Sequence, residues 1–162
     1  MSQCIVPSDA PALQPLIDAM RDGVAVMSRD GTIKCVNKAW RQFAIDNGGD
    51  SDSHYVGENY LLICRKSAES GDGLASQVEA GLTQLLENGS EFRIKYHCHS
   101  DTEQRWFELL ASPMELDGEI NVLITHRNVT SLELARIELN DAEQNTRNLA
   151  AIVATMPAAV IA

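Results

Sequence analysis

Between residues 104 and 156 the spacing of apolar positions changes character. Residues 104–116 are rich in β-formers, Asp117-Gly118 is a strong hairpin signal, and 119–127 again has strand composition. From Ser131 the spacing becomes helical. Leu132, Leu139, Thr146 and Val153 fall seven apart, as do Ala135, Ala142, Leu149 and Met156. That is an a/d pattern with Glu, Arg, Asp and Asn on the other faces. Its Ala and Thr positions make a weak seam, which suits a switch better than a permanent strut. A sheet whose last strand runs through Asn128-Val129-Thr130 into an outgoing helix predicts a domain that passes a conformational state downstream.

The same patterning organises the rest of the chain. Residues 1–10 form a leader. Residues 11–20 make a short helix with Leu13, Leu16, Ile17 and Met20 on one face. Strands at 24–28 and 33–36 flank an Arg29-Asp30-Gly31-Thr32 turn. Asn37 caps a helix at 38–46, with Trp40, Phe43 and Ala44 turned inward. A Gly/Asp/Ser-rich loop covers 47–53, a short helix 59–67 and a turn 70–73. Helix 74–87 carries the stripe Leu74, Val78, Leu82 and Leu85 and ends at Asn88-Gly89. Residues 91–99 form a strand. Strands bracketing a helical middle imply an α+β domain with one antiparallel sheet.

Residues 17–26 resemble residues 153–162: each has a helix end, a Met, a break and an apolar start. Such self-similarity predicts that a second copy of the domain begins near the C-terminus. The division is then a leader (1–10), a domain (11–130), a connecting helix (131–156) and the opening of a following domain (157–162).

Charge narrows the partners. The formal net charge is −10 over 162 residues, which excludes a surface built to bind nucleic acid phosphates or an anionic membrane. No apolar run is long enough to span a bilayer, and the N-terminus lacks a secretory signal pattern. Cys4, Cys35, Cys64 and Cys98 are scattered without a C-x-x-C, as expected of buried thiols in a reducing cytoplasm. No phosphate-binding loop, nucleophile elbow or zinc-protease motif is present, so the chain is not expected to be an enzyme. In His97-Cys98-His99 the alternation Phe92, Ile94, Tyr96, Cys98 marks the core face. Arg93, Lys95, His97 and His99 then point outward, and two His alone do not complete a metal site.

In element order and local signatures the chain resembles a PAS domain. Asp22-Gly23-Val24-Ala25-Val26 with Asp30-Gly31-Thr32-Ile33 is similar to the family's opening hairpin, and Val36-Asn37-Lys38-Ala39-Trp40 to its first internal helix entry. Val56-Gly57-Glu58-Asn59-Tyr60 resembles its G-x-N segment. Arg105-Trp106-Phe107 through Ser112-Pro113-Met114 resembles the penultimate strand. Asn128-Val129-Thr130 stands where the family often has D-I-T. The resemblance runs from Leu13 to about Ala135.

It implies a five-stranded antiparallel sheet with helices on one face, an N-terminal helix and a C-terminal signalling helix. It also implies a cavity between sheet and helices. Candidate lining residues are Tyr60, Cys64, Val78, Leu82, Ile94, Tyr96, Phe107, Leu109, Ile124 and His126. Cys64 is expected to behave as a small hydrophobe rather than a redox sensor. His126 is either a cavity hydrogen-bonding or ligating group, pH-sensitive beside the helix, or a His satisfied by backbone. By analogy Phe107, Leu109 and Ala111 face the cavity, leaving Trp106 and Leu110 on the outer face. That face needs a cover from the 11–20 helix (Leu13, Leu16) or a second subunit; alternatively the faces are inverted and Trp106 is core. Asn128, Thr130, Leu132 and Leu139 are the expected relay residues.

The departures matter too. Tyr60 stands where flavin photoreceptors carry their reactive Cys, and helix 74–87 has no His for haem. Neither chemistry is expected, and the resemblance names no cofactor. Asn128 in place of Asp weakens any salt bridge at the helix junction. The function implied is a cytoplasmic, homodimeric sensory domain. It receives a small ligand or partner state and relays it through its C-terminal helix to an output domain of the same chain. That output is a histidine kinase, or a diguanylate cyclase or phosphodiesterase. The alternative is a ligand-free structural dimerisation module whose cavity is filled by Tyr60, Tyr96 and Phe107.

Overall fold

The computed structural model describes residues 13–46, 55–97, 104–116 and 118–156. In chain order these form α1 (Leu13–Asp18), β1 (Gly23–Ser28), β2 (Ile33–Val36), α2 (Lys38–Asp46), α3 (Tyr60–Glu69), α4 (Gly73–Asn88), β3 (Phe92–His97), β4 (Trp106–Leu116), β5 (Glu119–Asn128) and α5 (Thr130–Thr155). The strands make one antiparallel sheet in the order β2-β1-β5-β4-β3. The last strand therefore lies at the centre, between the first hairpin and β4.

Period-2 patterning sets the two faces. On the inner face Ala25, Met27, Leu109, Ala111, Val122 and Ile124 pack against Val78, Leu82 and Leu85 of α4 and Trp40 of α2. Leu82 is fully buried, and each such aliphatic side chain contributes about 2 kcal/mol of transfer free energy. Phe92, Ile94 and Tyr96 pack on this core as the alternation along β3 predicts, while Arg93, Lys95 and His97 are exposed. Cys98 and His99 lie outside the described residues, as do the leader, the whole 47–53 loop, Asp117 and the expected opening of a second domain.

The outer face is covered at one end. Ile17 of α1 is buried against Val24, Val26 and Cys35, with Leu13, Met114 and Leu123 around them. Trp106 lies at the opposite end of β4 from Met114, so α1 does not reach it. Its neighbours are the His97 ring across the strand pair, 5.8 Å away between centroids, and Thr130 at the start of α5. The expectation that the first helix covers Trp106 fails because α1 spans only six residues over β1 and β2. Trp106 and Leu110 do stand on the outer face, half-buried, and Leu16 is exposed.

Asn37 ties the first helix to the sheet. Fully buried, its Oδ1 accepts from the Val24 and Trp40 amides, each at 2.8 Å. Its Nδ2 donates to the carbonyls of Ile17 at 3.0 Å and Asp22 at 2.8 Å. The residue expected only to cap α2 thus also stitches α1 and β1 together.

The helices over the inner face are capped by side chains. Asn59 accepts from the Leu62 amide, and Asp72 from those of Leu74 and Ala75. Gly89 closes α4 in the left-handed conformation, φ 71°. Gly81 lies under the Phe92 ring: a Cβ there would stand 2.2 Å from it.

Candidate functional site

A cavity of about 250 Å³ opens between α3, α4 and the inner face of the sheet. Its wall draws Phe43 from α2, Tyr60 and Cys64 from α3, Val78 from α4, and Tyr96, Leu109 and His126 from the three strands below. Six of the expected residues line it: Tyr60, Cys64, Val78, Tyr96, Leu109 and His126. The other four do not. Leu82 and Ile124 are sealed in the core beneath it, Ile94 packs on the core beside it, and Phe107 is covered by the rings of Phe43 and Tyr96, 5.0 and 5.9 Å away. Correct face parity placed these four on the inner side; it carried no information on which inner residues a neighbour would close over.

Sequence reasoning missed Phe43, Ile63, Ser67, Asp72, Leu74 and Ala75 as wall residues. Leu74 and Ala75 were legible, one as part of the α4 stripe and one beside it. Ser67 and Asp72 enter only because the short α3–α4 connection folds the Asp72 cap over the cavity rim.

Rings surround His126. Trp40, Phe43 and Tyr96 have centroids 4.8, 5.6 and 5.9 Å from its imidazole. Its Nδ1 lies 3.0 Å from the Tyr96 hydroxyl, and its Nε2 is shielded from solvent and has no hydrogen-bond partner among the described residues. Burial holds the imidazole neutral by pushing its pKa down to about 4. This corrects the expectation of a pH-sensitive group near neutrality. The backbone-satisfied alternative also fails, since the bonded nitrogen meets a tyrosine.

Burial pushes the Tyr60 phenol well above its ordinary value and the Cys64 thiol up to about 11. A thiol held protonated in this way is a poor nucleophile. Asp72 caps α4 and takes a hydrogen bond from Ser67, 3.0 Å away; these bonds hold its carboxyl below the usual range despite partial desolvation. Among the described residues no Lys or Arg lines the cavity. Among the described residues no cluster of three or more His, Cys, Asp or Glu is placed to hold a metal.

A wider depression, about 710 Å³, lies between the hairpin tips, with Arg29, Asp30, Lys34 and Glu119 on its rim. It sits at the far end of β5 from His126 and α5.

At the near end of β5 the strand passes into α5 without a loop. The Val129 amide donates to the Trp106 carbonyl at 2.9 Å, and the Trp106 amide donates to Thr130 Oγ1 at 3.0 Å. Asn128 caps the turn by accepting from the Thr130 amide at 3.0 Å. The ionic contact that Asn128 cannot make comes from elsewhere. Glu133, 3% exposed, lies 2.6 Å from Lys95 Nζ and 2.7 Å from Arg136. Hydrogen bonds from these two cations hold its carboxyl below the usual range. Lys95 neighbours Tyr96 on β3, so consecutive side chains touch α5 and the cavity. Along α5 and at its C-terminal cap, Leu132, Leu139, Leu149, Val153 and Met156 are exposed at the a/d positions, and Leu134, Ile137 and Ile152 are exposed outside them.

A curved five-stranded sheet with a helix-walled cavity and an emerging helix defines a sensory-type α+β domain. The profile of the family described as PAS fold matches residues 17–134, and the chain belongs to that family. A curated relative, "Uncharacterized 104.1 kDa protein in hypE 3'region" of Rhodobacter capsulatus, is 34% identical over 122 residues, covering 73% of this chain. The chain spans only 13% of that relative's length. Among solved structures, the PAS domain of Bordetella pertussis BvgS aligns over 82% of this chain and 94% of its own, with TM-score 0.53 and 18% identity. The phage VqmA–DPO complex aligns over 80% of this chain and 56% of its own, with TM-score 0.53 and 14% identity. Both likenesses are of fold. Among the described residues no helix is long and apolar enough to cross a membrane.

Proposed function

We propose that this chain is the receiving unit of a longer cytoplasmic signalling protein and performs no catalysis itself. Occupancy of the cavity is passed to α5 and through it to an output domain, a histidine kinase or a cyclic-di-nucleotide enzyme. The observation that carries this is the placement of Tyr96 and Lys95. They are adjacent on β3 and face opposite sides, one bonded to His126 in the cavity wall and the other to Glu133 on α5. His126 is itself four residues before Thr130, where α5 begins. A ligand that disturbs the Tyr96–His126 pair acts on both attachments of the helix, provided it binds the two arrangements with different affinity.

The exposed apolar residues on α5 support pairing with a second copy, so that the two states differ in helix register or pairing. They equally favour the ligand-free dimerisation module, against which stands the open cavity. The test is insertion of one or two residues beside Asn140 in the full-length protein. The relay reading expects output to change with the rotation imposed on the helix; indifference to both insertions refutes it.

A further inference from the structure

We infer that the cavity takes a small organic cation with a fully methylated nitrogen, a quaternary ammonium head on a short arm. The inference rests on the receptor reading above and names its ligand class.

Charge decides first. Among the described wall residues Asp72 carries the one formal charge, and no Lys or Arg stands beside it. Three neutral donors hold its carboxylate: the Ala75 and Leu74 amides and the Ser67 hydroxyl. They keep it ionised without cancelling its charge. Burial raises the Cys64 thiol, and the charges of Glu79 and Asp72 raise it further, so the wall lies in their negative field. The net charge of −10 adds a long-range field of the same sign.

An anion is turned away by the same arrangement. A carboxylate or phosphate entering here loses its hydration and meets no cationic side chain among the described residues. The start of a helix ordinarily greets an anion with its free amides. In α4 the Leu74 and Ala75 amides are already bonded to Asp72.

The rest of the wall selects the kind of cation. Phe43, Tyr60 and Tyr96 reach the cavity from three elements, α2, α3 and β3. Aromatic rings attract cations, and sets of rings are the recurring way to hold a quaternary ammonium group. A primary ammonium brings three N–H donors and a tightly held shell of water. The aliphatic part of the wall, Ile63, Leu74, Val78 and Leu109, does not replace that shell. Methyl groups on the nitrogen remove the donors, loosen the shell and pack against these same side chains. A volume of about 250 Å³ equals roughly eight molecules of liquid water, room for a trimethylammonium group and a short arm.

Three probes share one shape and differ in charge: choline, neohexyl alcohol (carbon in place of the nitrogen) and the tert-butylacetate anion. Each is titrated by calorimetry into the 162-residue chain at low ionic strength, and amide exchange at 129–136 is followed with choline bound. Choline is expected to saturate and to change that exchange. Neohexyl alcohol should bind at least about fivefold more weakly, the share of the cation–ring attraction. The anion should bind at least about tenfold more weakly than choline. Asp72→Asn keeps a good cap on α4; it should weaken choline about threefold, the share of one exposed carboxylate, and leave neohexyl alcohol unchanged. Neohexyl alcohol or the anion binding as tightly as choline overturns the cation class and leaves the receptor reading intact. Choline binding indifferent to Asp72→Asn overturns the part given to the carboxylate. Choline that saturates without altering exchange at 129–136 keeps the class and overturns the receptor reading. If none of the three saturates, the cation class falls, and the response of 129–136 to a permanently filled cavity decides the receptor reading.

Discussion

Acidification should weaken this domain through His126 in a window set by its burial. The folded-state pKa is about 4 against an unfolded value of about 6.5. Above pH 6.5 the group is neutral in both states and imposes no penalty. As pH falls from 6.5 toward 4 the unfolded chain takes up a proton that the folded chain refuses, so stability is lost over that interval. At pH 4.5 the linkage amounts to about 2–3 kcal/mol, and it levels off at roughly 3 kcal/mol below pH 4. The cause is desolvation among Trp40, Phe43 and Tyr96 rather than a charged neighbour. Salt should therefore change it little. The assay is urea denaturation of the wild type and His126→Phe at pH 7 and pH 4.5. Other groups titrate in both proteins, so the difference between their pH dependences isolates His126. The wild type should lose about 2–3 kcal/mol more than the variant. Parallel curves would mean that the imidazole is solvated in the folded state, and the shielded Nε2 would have to be abandoned.

Further outcomes follow from the packing. Asn37→Ala removes the acceptor of two amides and the donor to two carbonyls in a fully buried site; about 3 kcal/mol and roughly 10 °C in melting temperature should be lost, measured by thermal and urea unfolding. Gly81→Ala would gain about 1 kcal/mol from helix propensity alone, yet should destabilise by about 1–3 kcal/mol because the Phe92 ring occupies the site of the new methyl; a stabilised variant would refute the close packing of α4 on β3. Lys95→Glu should raise amide exchange in the first turns of α5 while leaving that of β1 and β2 unchanged, since it places like charge against Glu133; uniform exchange along the chain would show that the pair does not hold the helix.

Much of the fold was legible because the local signals agreed with one another. The helix 38–46 was bounded by an Asn cap and by its inward Trp40 and Ala44, and the β4–β5 hairpin by Asp117-Gly118 between two alternating strands. Period 2 separated Phe107, Leu109 and Ala111 from Trp106 and Leu110, the family resemblance chose which set faces inward, and the structure has the same faces. What stayed hidden depends on pairing across distance. Nothing local in Glu133 distinguishes it from the other acids of a solvent-facing helix, and its burial exists only because β3 brings Lys95 beneath it. The Asn37 knot likewise requires Ile17 and Asp22 to arrive from elsewhere. For His126 the position was readable, but its neutrality was not. That comes from Trp40, Phe43 and Tyr96, three residues separated from it by 30 to 86 positions and gathered by the sheet order.

The relay from cavity to helix is tested most directly by filling the cavity permanently and watching the helix. Ala75→Phe places a ring among Tyr60, Tyr96 and His126 without touching α5. Hydrogen exchange is then compared between variant and wild type for the backbone amides of 129–136 and, as an internal reference, those of 33–36. The account predicts a change of at least about fivefold in protection at 129–136, roughly 1 kcal/mol in local opening, with the reference segment unaltered. A folded variant whose α5 exchanges as the wild type does would contradict it: the cavity and the helix would then be neighbours in the fold without being coupled.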